Sequence, residues 1–324
     1  MLSVDGAQAR SQPAQRRLTR LARRVKVEGM NDADTLQEWT DLDVEVRGGR
    51  LAAQSRGAVA APAILLLGGA TWSRDWWADD FCDRLVRLGL RVLRYDPRDT
   101  GASTASPPGD PGYTADDLAD DAIAVLDASD VRSASVAGLS MGGGLAQRVA
   151  VQHPDRVDAL VLLSTSPAGD VGRELPPPTA EILATFEEEA DDPDWKDRRS
   201  VIDRVVSSER PYAGPDAFDE EALRDLAGRV WDRTPAMASA ANHFLVAESA
   251  TPVELSVLRE VPTLVIHGSA DPLFPPAHGE VLAEALGARL IVLDGVGHQA
   301  PPPATWDEVV PAIAGHVRKH SARA

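Results

Sequence analysis

From residue 41 onward the apolar positions follow a repeating rhythm. LDVEVRGGRLAAQS (42–55) alternates apolar and polar residues around Gly48 and Gly49, which predicts a hairpin with the two glycines supplying the positive backbone angles of its turn. PAILLLGG (62–69) is a short, continuously apolar run ending in glycine, the pattern of a central parallel strand. WWADDFCDRLVRLG (76–89) has helical spacing and closes at Gly89. LRVLRYD (90–96) is the next strand, and TADDLADDAIAVLDAS (114–129) the next helix, with Thr114 as its N-cap. SASVAGLS, GGLAQRVAVQHP and VDALVLLST continue as strand, helix and strand. Such alternation predicts an α/β fold with a mostly parallel, eight-stranded sheet and helices on both faces.

The rhythm breaks after residue 169. LPPPTAE, ATFEEEADDPDWKDRR, VIDRVVSSERP, FDEEALRDLAGRVWDR and AMASAANHFLVAES are charged and helical in spacing, without strand patterns. Strand and helix return at VPTLVIHG, HGEVLAEALG and ARLIVLDG, and ATWDEVVPAIAGHVRKH closes the chain as a helix. The expected organisation is a core of 41–169 and 258–324, an inserted helical cap of 170–257, and a disordered extension over 1–40. Residues 1–29 hold six arginines and Lys26 against Asp5 and Glu28, without an apolar stretch for a secretory signal. Met30 is therefore read as the effective start.

Composition narrows the partners. Thirty-three basic residues face fifty acidic ones, a net charge of −17, which argues against nucleic acid and anionic membrane surfaces. One cysteine, Cys82, allows no internal disulfide and suits a cytoplasmic location; its setting predicts a buried helix position. No metal or cofactor is expected: there is no H-E-x-x-H, no zinc-type Cys/His spacing, and no Lys-Ser/Thr after the glycine run 142–144.

Chemistry concentrates in VAGLSMGGG (136–144). Gly138-Leu139-Ser140-Met141-Gly142 fits G-x-S-x-G at a predicted strand–turn–helix junction, where a strained turn exposes the serine hydroxyl and a helix N-terminus faces it. A serine needs a base. Of seven histidines, His298 in LDGVGHQAPPP follows the last strand and reaches the sheet edge that carries Ser140. His153 is assigned to a helix end, His278 to a surface helix start, His316 and His320 to a solvated helix, and His267 to a strand end beside the site. Asp271, after the penultimate strand, is the acid that orients the imidazole, with Asp170 as the rival. The oxyanion donors are the N–H groups of Met141 and Ala70, with a residue adjoining Ala70 as the alternative to it. Trp72, with Trp76 and Trp77, forms an aromatic wall or packs on the core. In the cap, Phe186, Trp231, Met237, His243 and Phe244 are candidate pocket residues or packing between cap and sheet.

GGATWSRDWW, LRYDPRDTGAST, VAGLSMGGGLAQRVAVQHPDRV, PTLVIHGSADPLFPPAHGEVLAE and GVGHQAPP together resemble the α/β-hydrolase superfamily, and within it the aclacinomycin methylesterase branch. The resemblance covers about residues 41–316 and is weak through the cap. It implies a cofactor-independent serine esterase with Ser140, Asp271 and His298 as catalytic residues and a cap that shapes the substrate pocket. The substrate itself is not carried over by the resemblance, because cap residues decide it; the expected one is a bulky, apolar small-molecule ester such as a polyketide-type methyl ester. The alternatives are a perhydrolase or C–C bond hydrolase using the same three residues, or a ligand-binding protein with a vestigial triad.

Overall fold

The computed structural model describes residues 38–187, 192–215, 217–247 and 251–321. The expected N-terminal extension lies outside them as far as residue 37, as do residues 188–191 of the acidic run. Eight strands form one sheet: β1 (Thr40–Val46), β2 (Gly49–Arg56), β3 (Ala63–Leu67), β4 (Arg91–Tyr95), β5 (Ala134–Leu139), β6 (Val157–Leu163), β7 (Thr263–Gly268) and β8 (Arg289–Leu293). Their order is β1-β2-β4-β3-β5-β6-β7-β8. β2 pairs antiparallel with β1 and β4, and every other pairing is parallel.

The central strands are continuously apolar because both of their faces are covered. Leu65 and Leu67 of β3, Val136 of β5, and Leu160 and Leu162 of β6 point into one core with α2 (Ala115–Ala128), α3 (Met141–Gln152) and α8 (Ala277–Leu286). The alternate residues Ile64, Leu66, Ala137, Leu139, Val161 and Leu163 point into a second core with α1 (Asp79–Arg87) and α9 (Trp306–His320). Cys82 is buried there. Thr114 caps α2 in a reciprocal box with Asp117. In the β1–β2 hairpin only Gly48 takes a positive φ, 80°. Gly49 opens β2 instead, where an added Cβ would come within 2.6 Å of the Thr104 hydroxyl, so close approach rather than turn geometry requires it.

Between β6 and β7 lie α4 (Ala180–Glu187), α5 (Arg198–Glu209), α6 (Glu220–Arg233), a 3-10 stretch Met237–Phe244 and the short α7 (Leu255–Leu258), without a strand among the described residues. α5 and α6 share a small apolar cluster of Ile202, Val206 and Ala227. Arg233, at the end of α6, ties this insertion to the sheet by hydrogen-bonded ion pairs with Asp75 and Asp96. Leu255 and Leu258 of α7 join the sheet's own core. Among the described residues no helix is long and apolar enough to cross a membrane.

Candidate active site

The parallel strands β3, β5, β6, β7 and β8 all end on one edge of the sheet, and the loops that leave them build the site. Ser140 stands between β5 and α3 with φ 54° and ψ −119°, a conformation that side chains rarely adopt. The turn closes so tightly that a Cβ at Gly138 would lie 2.0 Å from the Gly142 carbonyl oxygen. The Ser140 N–H donates to the Leu163 carbonyl (3.0 Å), and Thr165 Oγ1 donates to the Ser140 carbonyl (2.8 Å), so β6 pins the turn from the side. α3 starts at Met141, which aims the unpaired N–H groups of its first turn at the serine.

His298 comes from the loop after β8. Its Nε2 lies 2.8 Å from Ser140 Oγ and its Nδ1 2.9 Å from Asp271 Oδ2. The Asp271 side chain is fully buried. Its other oxygen accepts from the backbone N–H groups of Leu273 (3.0 Å) and Phe274 (2.8 Å). The carboxylate accepts, so the imidazole hydrogen sits on Nδ1 and the Nε2 lone pair faces the serine hydroxyl. The His298 N–H donates to the Tyr212 carbonyl at 2.7 Å, and the Phe274 ring meets the imidazole edge-on at 5.3 Å. This arrangement can pass the serine proton to an imidazole whose orientation is fixed on three sides.

The loop after β3 runs Gly68-Gly69-Ala70-Thr71. An added Cβ on Gly142 would come within 2.5 Å of the Gly68 carbonyl, so this loop and the serine turn are in backbone contact. Neither Ala70 nor Met141 donates its N–H to an acceptor among the described residues.

The other expected residues differ in burial and in partners. Trp72 is 5% exposed and belongs to the core, stacked on Trp76 at 4.5 Å, because the β3 loop turns its ring inward. His243 is buried with both ring nitrogens engaged by backbone, Nδ1 by the Thr71 N–H and Nε2 by the Arg98 carbonyl, so it has no nitrogen left for a ligand. Phe186 and Phe244 are 59% and 72% exposed, and Trp231 and Met237 are half-buried. Asp170 is exposed, with Oδ1 accepting from Gly172, two residues on. His278, expected at the surface, is buried: Nδ1 pairs with Ser166 Oγ and Nε2 with the Pro176 carbonyl, because the segment after β6 folds over it. His316 is half-buried against the Pro262 carbonyl rather than solvated. His267 reaches the Phe274 carbonyl at 2.8 Å and supports the turn that holds Asp271.

Three roles went unread in the sequence: Tyr212 and Phe274 flanking the imidazole, and Arg233 closing on Asp75 and Asp96. The carbonyl of Tyr212 and the charge of Arg233 act across long sequence separations that no local pattern records. Asp99, within the block LRYDPRDTGAST, is likewise held by partners distant in the chain. It has a φ of 68°, and its carboxylate compensates by accepting from Tyr113 Oη and Asn242 Nδ2.

Residues 62–302 match the model of a family described as alpha/beta hydrolase fold. The chain is 31% identical over 278 residues to a rhodomycin D methylesterase of Streptomyces sp. (strain C5), covering 80% of this chain and 91% of that one. A rhodomycin D methylesterase of Streptomyces peucetius is also 31% identical, over 81% of this chain and 93% of its own. Among solved structures, an esterase from Rhodococcus sp. ECU1013 superposes with a TM-score of 0.68 at 21% identity, covering 88% of this chain and all of that one. At that identity the likeness is one of fold.

Proposed function

The chain belongs to the α/β-hydrolase family, and from that premise we propose that it is a serine carboxylic-ester hydrolase acting on a bulky, apolar small-molecule ester of the polyketide methyl-ester kind. The observation that carries this reading is the unbroken hydrogen-bonded chain from Ser140 Oγ through His298 to the buried Asp271. Ser140 Oγ attacks the ester carbonyl as His298 Nε2 takes its proton. The N–H groups of Met141 and Ala70 hold the oxyanion, each worth roughly 3–4 kcal/mol to the transition state when correctly aimed. His298 then protonates the leaving alcohol. A water, deprotonated by the same imidazole, releases the acid and restores the serine. Asp271 keeps the imidazole hydrogen on Nδ1 throughout.

The methyl-ester substrate class is supported by the named activity of the two Streptomyces relatives. Discrimination between acids falls to the insertion between β6 and β7, because the serine, imidazole and oxyanion donors touch only the ester group. A cytoplasmic site of action accords with a single buried cysteine. Mass spectrometry after fluorophosphonate treatment, followed by a panel of methyl, aryl and acyl esters, tests the reading. Adduct on Ser140 with hydrolysis of bulky methyl esters is expected, and a protein that neither labels nor hydrolyses any ester overturns it.

A further inference from the structure

Thr71, next to Ala70, has a φ of 68°. A β-branched residue takes this left-handed conformation only where its surroundings enforce it. Two hydrogen bonds supply the enforcement. The Gly69 carbonyl accepts from the Trp72 N–H at 3.2 Å, and the Thr71 N–H donates to His243 Nδ1 at 2.9 Å. One holds the peptide plane before the Ala70 Cα and the other holds the plane after it. The direction of the Ala70 N–H is thereby fixed from both sides.

His243 comes from the 3-10 stretch Met237–Phe244, far along the chain from this loop. Its Nε2 faces the Arg98 carbonyl at 2.8 Å. A carbonyl only accepts, so the hydrogen is on Nε2 and Nδ1 presents its lone pair to Thr71. Burial holds the imidazole below its ordinary pKa, which keeps that lone pair free. The adjoining Asn242 is fully buried and locks the stretch in place. It donates to Asp99 Oδ2 (2.9 Å) and to the Pro107 carbonyl (3.0 Å), and accepts from the Gly109 N–H (2.7 Å).

We infer that His243 is a positioning residue of the oxyanion-binding loop: an imidazole contributed by the helical insertion accepts the Thr71 N–H and so aims the Ala70 N–H at the oxyanion. The insertion is then part of the catalytic geometry. The inference rests on the ester-hydrolase reading above.

The test compares His243→Phe, which keeps the ring and removes both nitrogens, with His243→Asn, whose amide oxygen can take the place of Nδ1. On an ester that the unaltered protein hydrolyses, His243→Phe should lower kcat by ~10- to 100-fold with KM within ~3-fold, because only the oxyanion contact is misaimed. Its affinity for a phenylboronic acid, which forms a tetrahedral adduct on the serine, should fall in parallel. His243→Asn should recover part of both losses. In the unaltered chain the Thr71 amide hydrogen should exchange slowly, as a bonded amide. A folded His243→Phe with unchanged kcat and boronic-acid affinity overturns the inference while leaving ester hydrolysis intact. So does a Thr71 amide that exchanges like a free surface amide, whether or not the variants fold. An unaltered protein without esterase activity or Ser140 labelling overturns the underlying reading, and this inference with it.

Discussion

Gly142 lies against Gly68: a Cβ on Gly142 would sit 2.5 Å from the Gly68 carbonyl oxygen and 2.6 Å from that of Leu67. The serine turn and the β3 loop therefore meet backbone to backbone, with no flexible side chain between them to give way. Gly142→Ala must push the two apart, so we expect a loss of about 1–3 kcal/mol in stability, as for other overpacked sites. The oxyanion donors would separate too, and kcat should fall ~10-fold or more, since an ångström of misplacement costs up to ~100-fold. Gly144, two residues on in α3, has nothing within 4 Å of an added Cβ. Gly144→Ala should instead stabilise by roughly 0.5–1 kcal/mol through helix propensity. Urea unfolding of both variants checks the opposite signs.

The strands were legible in the sequence because burial on two faces writes an uninterrupted apolar run, as in Ala63–Leu67, which needs no knowledge of neighbours. The serine turn was legible because its steric demands fall on Gly138 and Gly142, two residues either side. Asp271 and His298 could be placed because the loops after parallel strands must all leave from one edge. The pocket residues could not be read in this way. A large side chain in a charged helix looks the same whether it faces the site, as a pocket residue would, or the solvent, as Phe244 does. For His243 nothing in the sequence pointed to its partners, Thr71 and Arg98, which are brought to it only by the tertiary fold.

Asp271→Asn has a derivable outcome. The Asp271 oxygen that faces away from His298 already accepts two backbone N–H groups, from Leu273 and Phe274. In the asparagine variant the amide oxygen stays on those donors, and the NH2 group turns to His298 Nδ1. The imidazole must then carry its hydrogen on Nε2, pointing at the serine hydroxyl, and it no longer acts as base. A fall in kcat of about 10⁴-fold is expected, with the melting temperature little changed. Steady-state kinetics on an activated aryl ester measures it, and a loss under tenfold would remove Asp271 from the mechanism.

Ser140 at φ 54° stores backbone strain in the folded chain. Ser140→Ala keeps the Cβ and therefore the strain, whereas Ser140→Gly releases it. Both variants should lose activity by on the order of 10⁴ to 10⁶. The glycine variant should be the more stable of the two by about 1–2 kcal/mol, despite its greater freedom when unfolded. Chemical denaturation of the pair decides the point: a glycine variant less stable than the alanine one would mean that the turn is unstrained.

Glu209, partly buried at the end of α5, has its carboxyl pushed up by burial from an ordinary 4.5 to about 7. Between those two values the folded chain holds a proton that the unfolded chain releases, so stability declines as pH rises through this window and is level above it. Buried histidines act in the opposite sense. Burial lowers His243 and His267 below 6.5, so the folded chain loses stability as pH falls through 6.5. Those histidines are unchanged in Glu209→Gln and cancel when the variant is compared with the unaltered chain at each pH. Glutamine matches the neutral acid in shape and cannot ionise. The variant should therefore melt close to the unaltered chain at pH 4.5 and above it at pH 8, with the gap opening between pH 4.5 and about 7. Thermal melts across that range, at constant ionic strength, measure the gap. An offset that stays the same from pH 4.5 to 8 would show that the Glu209 carboxyl ionises in the folded chain as readily as in water.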